Sequence, residues 1–254
     1  MRIRTLSSFI ALSSAAALGL SATPTFATQS SRVAVIRVEQ VGGFVGPNVL
    51  TARLPEVVLY ADGRVLVPGN LHGSIREIYQ GSITMKVLQS QIARFSKAIK
   101  VPIGGWGIPG VSDLPTAQVS LLQKGKKKSV AVYALGFSRG DLTAGQIAAR
   151  SYLTKSIAQL IALASKSRIY KPTQYEAWPI WPIPELSPAP TPDPAANLWP
   201  TEVAPPIKGC LVVPEKPFTA LLNQTSSNEW VLPSGQRISA TWRPVLPDEP
   251  ACKR

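Results

Sequence analysis

Two apolar runs meet at Asp62-Gly63, and the rest of the chain is read outward from them. Val57 to Tyr60 and Val65 to Val67 are apolar at successive positions, so both faces of each predicted strand need covering. Asp-Gly tolerates positive φ at low steric cost, which predicts a tight primed hairpin turn. Pro55 and Pro68 bracket the pair where a ladder is expected to end. Upstream, Ser31 to Val41 alternates, with Ala34, Ile36 and Val38 on one face and Arg37 and Glu39 on the other, a strand ended by Gly42-Gly43. Gly69 to Gly73 reads as a turn. Ser82 to Leu88 alternates again, and Leu88, Ile92, Phe95 and Ile99 then fall at helical spacing. This predicts a strand that passes into a helix near residue 89, with Ser90 as its cap.

Val101 to Pro115 holds four Gly and three Pro and reads as a loop. A second hairpin follows, with arms Ala117 to Gln123 and Ser129 to Leu135 around the basic turn Lys124 to Lys128. Thr143 and Gln146 have capping-box spacing. Ile147, Leu153, Ile157, Leu160, Ile161 and Ala164 continue as an apolar stripe, with Arg150, Lys155 and Lys166 off it. This long helix is expected to lie on the sheet; the alternative is a helix lying on a membrane surface. From Pro172 to Pro206 there are eleven prolines and three tryptophans, Trp178, Trp181 and Trp199, which predicts extended polyproline-like chain rather than central strand. Leu211 to Val213 reads as a short strand, and Phe218 to Leu222 as a helical turn. Glu229 to Leu232 and Arg237 to Val245 form a third hairpin, its second arm half-buried through Ile238, Ala240 and Trp242.

The pattern gives an α+β fold, a mainly antiparallel sheet of hairpins covered by one long and one shorter helix. The expected divisions are a leader at 1–27, a core at 28–171, the Pro/Trp-rich segment at 172–208 and a C-terminal β segment at 209–254 packed on the core. The leader reading rests on Arg2 and Arg4, the apolar Phe9 to Leu20, and the small residues of Thr25-Phe26-Ala27. That apolar run is about twelve residues, short of the roughly 20 that span a bilayer, so a cleaved signal is favoured over an anchor. The expected localisation is secreted or envelope-associated, without stable membrane insertion after cleavage.

Composition adds charge and redox information. The 254 residues carry 27 Lys+Arg against 14 Asp+Glu, and loss of Arg2 and Arg4 with the leader takes the formal charge from +13 to +11. Such a balance suits anionic partners, a cell-wall polymer or an envelope protein rather than nucleic acid for an exported chain; spread lysines also serve solubility. Cys210 and Cys252 are the only cysteines, and export predicts a disulfide between them. Lysines at an exposed turn block edge pairing or form an anion-binding finger, so Lys124, Lys126, Lys127 and Lys128 are binding candidates. Trp178, Trp181 and Trp199 either anchor their segment on the parent domain or dock a partner. Asn223-Gln224-Thr225 matches a glycosylation acceptor.

Several motifs resemble a family of predicted secreted proteins and lipoproteins of actinobacteria. They are Leu59-Tyr60-Ala61-Asp62-Gly63-Arg64, the stretch Gly107 to Thr116, and Arg243-Pro244-Val245-Leu246-Pro247-Asp248-Glu249 followed by Cys252. The lipobox cysteine of some members is missing. The resemblance implies export and architecture and supplies no catalytic residue.

Candidate chemistry is sparse. His72 is the only histidine, and no Gly-x-Ser-x-Gly elbow accompanies it, which disfavours a triad hydrolase. Asp62, Asp113 and Asp141 are loop carboxylates that could work in pairs, though each has a structural role available in a turn or at a helix start. No cofactor or metal site is expected. The favoured function is non-catalytic binding of an envelope component or protein partner; the alternative is an envelope-acting hydrolase using loop carboxylates, with Asp113 and the Gly104–Gly110 loop forming the cleft and Asp62 and His72 as further candidates.

Overall fold

The computed structural model describes residues 32–46, 50, 52–72, 75–137, 140–180, 197–199, 209–215, 229–232 and 237–252. The leader, Trp181, the 218–222 turn and the Asn223 acceptor lie outside them.

The central hairpin is β2 (Val57–Tyr60) and β3 (Arg64–His72). Around it, β1 (Ala34–Val41), β4 (Ile75–Ser82), β5 (Thr116–Gln123), β6 (Lys126–Tyr133) and β7 (Ser165–Ile169) complete a seven-stranded sheet ordered β6-β5-β1-β2-β3-β4-β7. Every pairing in it is antiparallel. As the double-sided apolar pattern requires, β2 is the middle strand. Val57, Leu59, Val65 and Val67 pack with Leu88, Phe95, Leu153 and Leu160 of the helices α1 (Met85–Ile99) and α2 (Ala144–Ile161). Val58, Tyr60 and Leu66 pack on the opposite face with Ile78 and Leu246. The α+β expectation therefore holds.

The turn departs from the expected two-residue form. Leu59 pairs with Val65, so Ala61, Asp62 and Gly63 form a three-residue loop with only Gly63 at positive φ (+85°). Asp62 stiffens it by accepting from the Arg64 backbone N–H (3.0 Å) and Nε (2.7 Å). A Cβ on Gly63 would stand 2.4 Å from the Ile83 carbonyl oxygen, so the loop needs glycine for space as well as conformation. Pro68 does not end its strand. It lies within β3 beside a register shift between Pro68 and Leu71, an irregularity that accommodates a residue lacking an N–H. Residues 69–72 are likewise strand rather than turn.

The predicted strand at Ser82 to Leu88 is a correction. β4 ends at Ser82 and α1 begins at Met85, capped by Thr84, whose Oγ1 accepts from the Val87 N–H at 3.4 Å. Three alternating apolar residues were too short a signal to outweigh a cap followed by Leu88, Gln91, Phe95 and Ala98, which are the buried positions. In α2 the capping box forms as expected: the Thr143 N–H donates to Gln146 Oε1 (2.9 Å) and the Gln146 N–H to Thr143 Oγ1 (3.3 Å).

Arg150 corrects the expectation of an outward-facing cation. It is buried (1% exposed). Its guanidinium donates to the Phe137 (3.1 Å), Trp106 (3.1 Å), Tyr133 (2.7 Å) and Ala134 carbonyls. Five fixed donors satisfy loop carbonyls that a purely apolar stripe would leave orphaned, and burial lowers its pKa.

A second sheet, ordered β10-β8-β12-β11-β9, is built from β8 (Gln174–Ile180), β9 (Asn197–Leu198), β10 (Leu211–Pro214), β11 (Glu229–Val231) and β12 (Arg237–Pro244). β8 overturns the expectation that this stretch is polyproline-like chain, since it lies between two strands despite Pro179. β10 pairs only with residues 174–177, so Pro179 faces a partner on one side alone and its missing N–H interrupts no ladder there. Trp199, Trp230 and Trp242 form the core of this sheet with centroids 5.4–5.5 Å apart. Arg243 is fully buried, so the second arm of the third hairpin is not half-exposed at that end. The Cys210–Cys252 disulfide is present.

Candidate functional site

The loop carboxylates do not form a pair. Asp62 follows Tyr60, which pairs with Ala34 at the start of β1, whereas the Asp113 carbonyl accepts from the Phe44 N–H just past its end. An eight-residue strand separates them by roughly 25 Å. Paired glycosidase carboxylates stand about 5–9.5 Å apart. Asp113 is exposed at φ +62°, and Asp141 is exposed at the start of α2, beside Gly110. His72 ends β3, which β1 and β2 separate from β5. Neither of the two described cavities is lined by any of these residues. Among the described residues, no three His, Cys, Asp or Glu side chains are placed to hold a metal ion.

The lysine candidates are brought together differently than expected. Only Lys124 and Gly125 form the turn, both at positive φ (50° and 72°), and Lys126, Lys127 and Lys128 belong to β6, an edge of the large sheet. Alternation puts Lys126 and Lys128 on the same face as Val130 and Val132, the face covered by helices. The Ser96 hydroxyl of α1 donates to Gln123 Oε1 (3.3 Å) and holds that helix beside the turn. Lys97 lies 5.1 Å over the Tyr152 ring of α2, and Lys100, at the C-cap of α1, and Lys155 of α2 are exposed. Neither helix contains an acidic residue. Between Ile78 and Lys171 the only acids are Asp113 and Asp141, both on loops. That absence of acids is readable in the sequence and marks Lys97, Lys100 and Lys155, none of which belongs to a motif.

The tryptophans are placed unequally. Trp199 is buried (3% exposed) and serves the core. Trp178 is half-buried, with Nε1 donating to Glu176 Oε2 at 3.2 Å.

The acids gather on the opposite side of the large sheet. Arg37 of β1 donates to Glu39, to Asp248 Oδ2 (2.8 Å) and to Glu249. Arg243 joins Glu249 to Glu176 (3.4 Å), whose other oxygen accepts the Cys252 backbone N–H at 2.7 Å. Tyr60 donates to Asp248 Oδ1 at 2.6 Å. The C-terminal motif is thus a clasp between the sheets. Burial works against the Arg37 charge, but Glu249, Asp248 and Glu39 outweigh it and raise its pKa.

Burial, reinforced by Asp248, holds the Tyr60 phenol above its ordinary pKa; burial, with the Glu215 charge second, pushes Tyr175 up to about 12. Unfolded tyrosine ionises near pH 10, so these two groups contribute stability that is intact below pH ~10 and lost as pH rises beyond it. Each contributes a slope of up to about 1.4 kcal/mol per pH unit in that window. Urea midpoints between pH 9 and 11.5 are expected to fall, and to fall less steeply in Tyr60→Phe; an equal slope in the two proteins would contradict this.

Comparison of the chain with protein-family models, with curated proteins and with solved structures gave no match. None of the described helices is long and apolar enough to cross a membrane.

Proposed function

We propose that this is an exported, non-catalytic protein that binds an anionic polymer of the cell envelope through the face formed by α1, α2 and edge strand β6. The observation that carries the reading is the separation of charge. Both helices lack acids, and exposed Lys86, Lys97, Lys100, Lys126, Lys128 and Lys155 stand on or beside them, while the carboxylates Glu39, Glu176, Asp248 and Glu249 are tied up in the clasp on the other side. A polymer bearing regularly spaced negative charges can meet several of these ammonium groups at once, without a concave site. Lysine ammonium groups act as point charges and do not impose the planar bidentate geometry of arginine, which suits a repetitive flexible chain. The signal-like leader supports delivery outside the cytoplasm.

Binding to immobilised polyglycerol-phosphate teichoic acid is expected at 50 mM NaCl and is expected to be lost by 500 mM, because the screening length falls from about 14 Å to about 4 Å across that range. The triple variant Lys126→Glu/Lys128→Glu/Lys155→Glu is expected to bind at least tenfold more weakly with an unchanged urea midpoint. Retention that ignores salt, or a variant that binds as well as the parent, would overturn the reading.

A further inference from the structure

On the sheet face away from the helices, a cavity of about 210 Å³ opens beside the clasp. Arg37, Glu39 and Val41, alternate residues of β1, form its floor, and Leu50, Arg53, Leu54 and Pro55 close over it. The charged groups there are already held. Arg37 is committed to Glu39, Asp248 and Glu249, and Arg53 Nη1 is anchored by the Gln40 and Gly42 carbonyls, each at 3.0 Å. Glu39 gives Oε1 to Arg37, which leaves Oε2 as an acceptor with no partner among the described residues. The Glu39 side chain is one-third exposed, so solvent reaches it.

We infer that this cavity binds a single neutral sugar or polyol unit. Its volume lies below the roughly 300–1,000 Å³ of sites for drug-sized ligands, so one ring with its hydroxyls fits and a chain of rings does not. The walls pair an acceptor fixed by a salt bridge with an apolar surface of Val41, Leu50, Leu54 and Pro55. Hydroxyl donors satisfy the first and the C–H face of a sugar or polyol covers the second. Arg37 is shared among three carboxylates and does not cancel the Glu39 charge, but Arg53 lines the cavity with it, so a ligand ammonium would stand beside two guanidinium groups, which disfavours a zwitterion. The inference stands apart from the cationic face, which lies on the other side of the sheet and recognises charge.

Isothermal titration and saturation-transfer NMR with glycerol, glucose, galactose and N-acetylglucosamine test it, with glycine as the zwitterion. At least one of the four is expected to bind saturably with a Kd on the order of 1 mM, as a ligand this small allows, and glycine is not. Leu50→Trp and Val41→Phe each fill the cavity without touching an ion pair. Both are expected to weaken that binding at least tenfold with the urea midpoint preserved. The triple lysine variant is expected to keep it, so failure of the polymer reading and failure of this one are distinguishable. Absence of saturation by all four up to 20 mM, binding undiminished in both filled variants, or equal binding of glycine would each overturn the inference.

Discussion

Arg243→Ala is expected to destabilise the protein by about 3–5 kcal/mol, the cost of removing one partner from a buried ion pair. The side chains of Arg243 and Glu176 are both at 0% exposure. Without the guanidinium, Glu176 keeps, among the described residues, only the Trp178 indole N–H and the Cys252 backbone N–H, two neutral donors facing a full charge in a water-excluded site. Glu249 loses its contact with Arg243 as well. Urea unfolding measures the loss. The double change Arg243→Met/Glu176→Gln is expected to recover more than half of it, because a buried pair replaced by neutral groups is far less costly than one broken on a single side. A loss under 1 kcal/mol for Arg243→Ala, or no recovery in the double variant, would show that the clasp is not held by this pair.

Cys210→Ala/Cys252→Ala is the second large effect. The disulfide joins residues 42 apart, and the chain-entropy model assigns such a loop about 4 kcal/mol. That is a large share of a typical total stability of about 5–15 kcal/mol. For a chain of this size the melting temperature is expected to fall by roughly 8–16 °C. The m-value is expected to rise, since the unlinked denatured chain exposes more surface. Calorimetry and urea titration of the parent protein, each with and without reductant, measure the two. A melting temperature that does not respond to reduction would contradict the expectation.

What was legible in the sequence was local. The double-sided apolar runs around Asp62-Gly63 located the middle of the sheet, because burial on both faces is written into consecutive residues. The capping box at Thr143 needs only residues 143 and 146. Two cysteines allow one pairing. Failures came where a distant partner decides the outcome. β4 reads as polar and glycine-bearing, and its Gly81 is required because a Cβ there would stand 2.1 Å from the Leu163 carbonyl oxygen, on the segment that follows α2. Arg150 looked like a surface cation because nothing in its helix announces the carbonyls of residues 133, 134 and 137.

The candidate sites divide in the same way. The cationic face could be read from the acid-free stretch between Ile78 and Lys171, a compositional signal independent of contacts. The cavity on β1 could not. Arg37 and Glu39 look like an ordinary solvent-facing pair until Asp248 and Glu249, more than 200 residues later, close on them.

The clasp also sets an order of events in time. Tyr60, in the middle strand, finds its hydrogen-bond partner 188 residues downstream, and Leu246 covers that strand's second face. Until residues 243–252 arrive, Val58 and Leu66 lack that cover and Arg37 lacks two of its three carboxylates. Contacts this remote in sequence carry a large loop-closure cost and slow the final docking. A nascent chain therefore stays open until residues 243–252 have been made, and a product cut short before Arg243 would remain an adhesive, protease-sensitive intermediate.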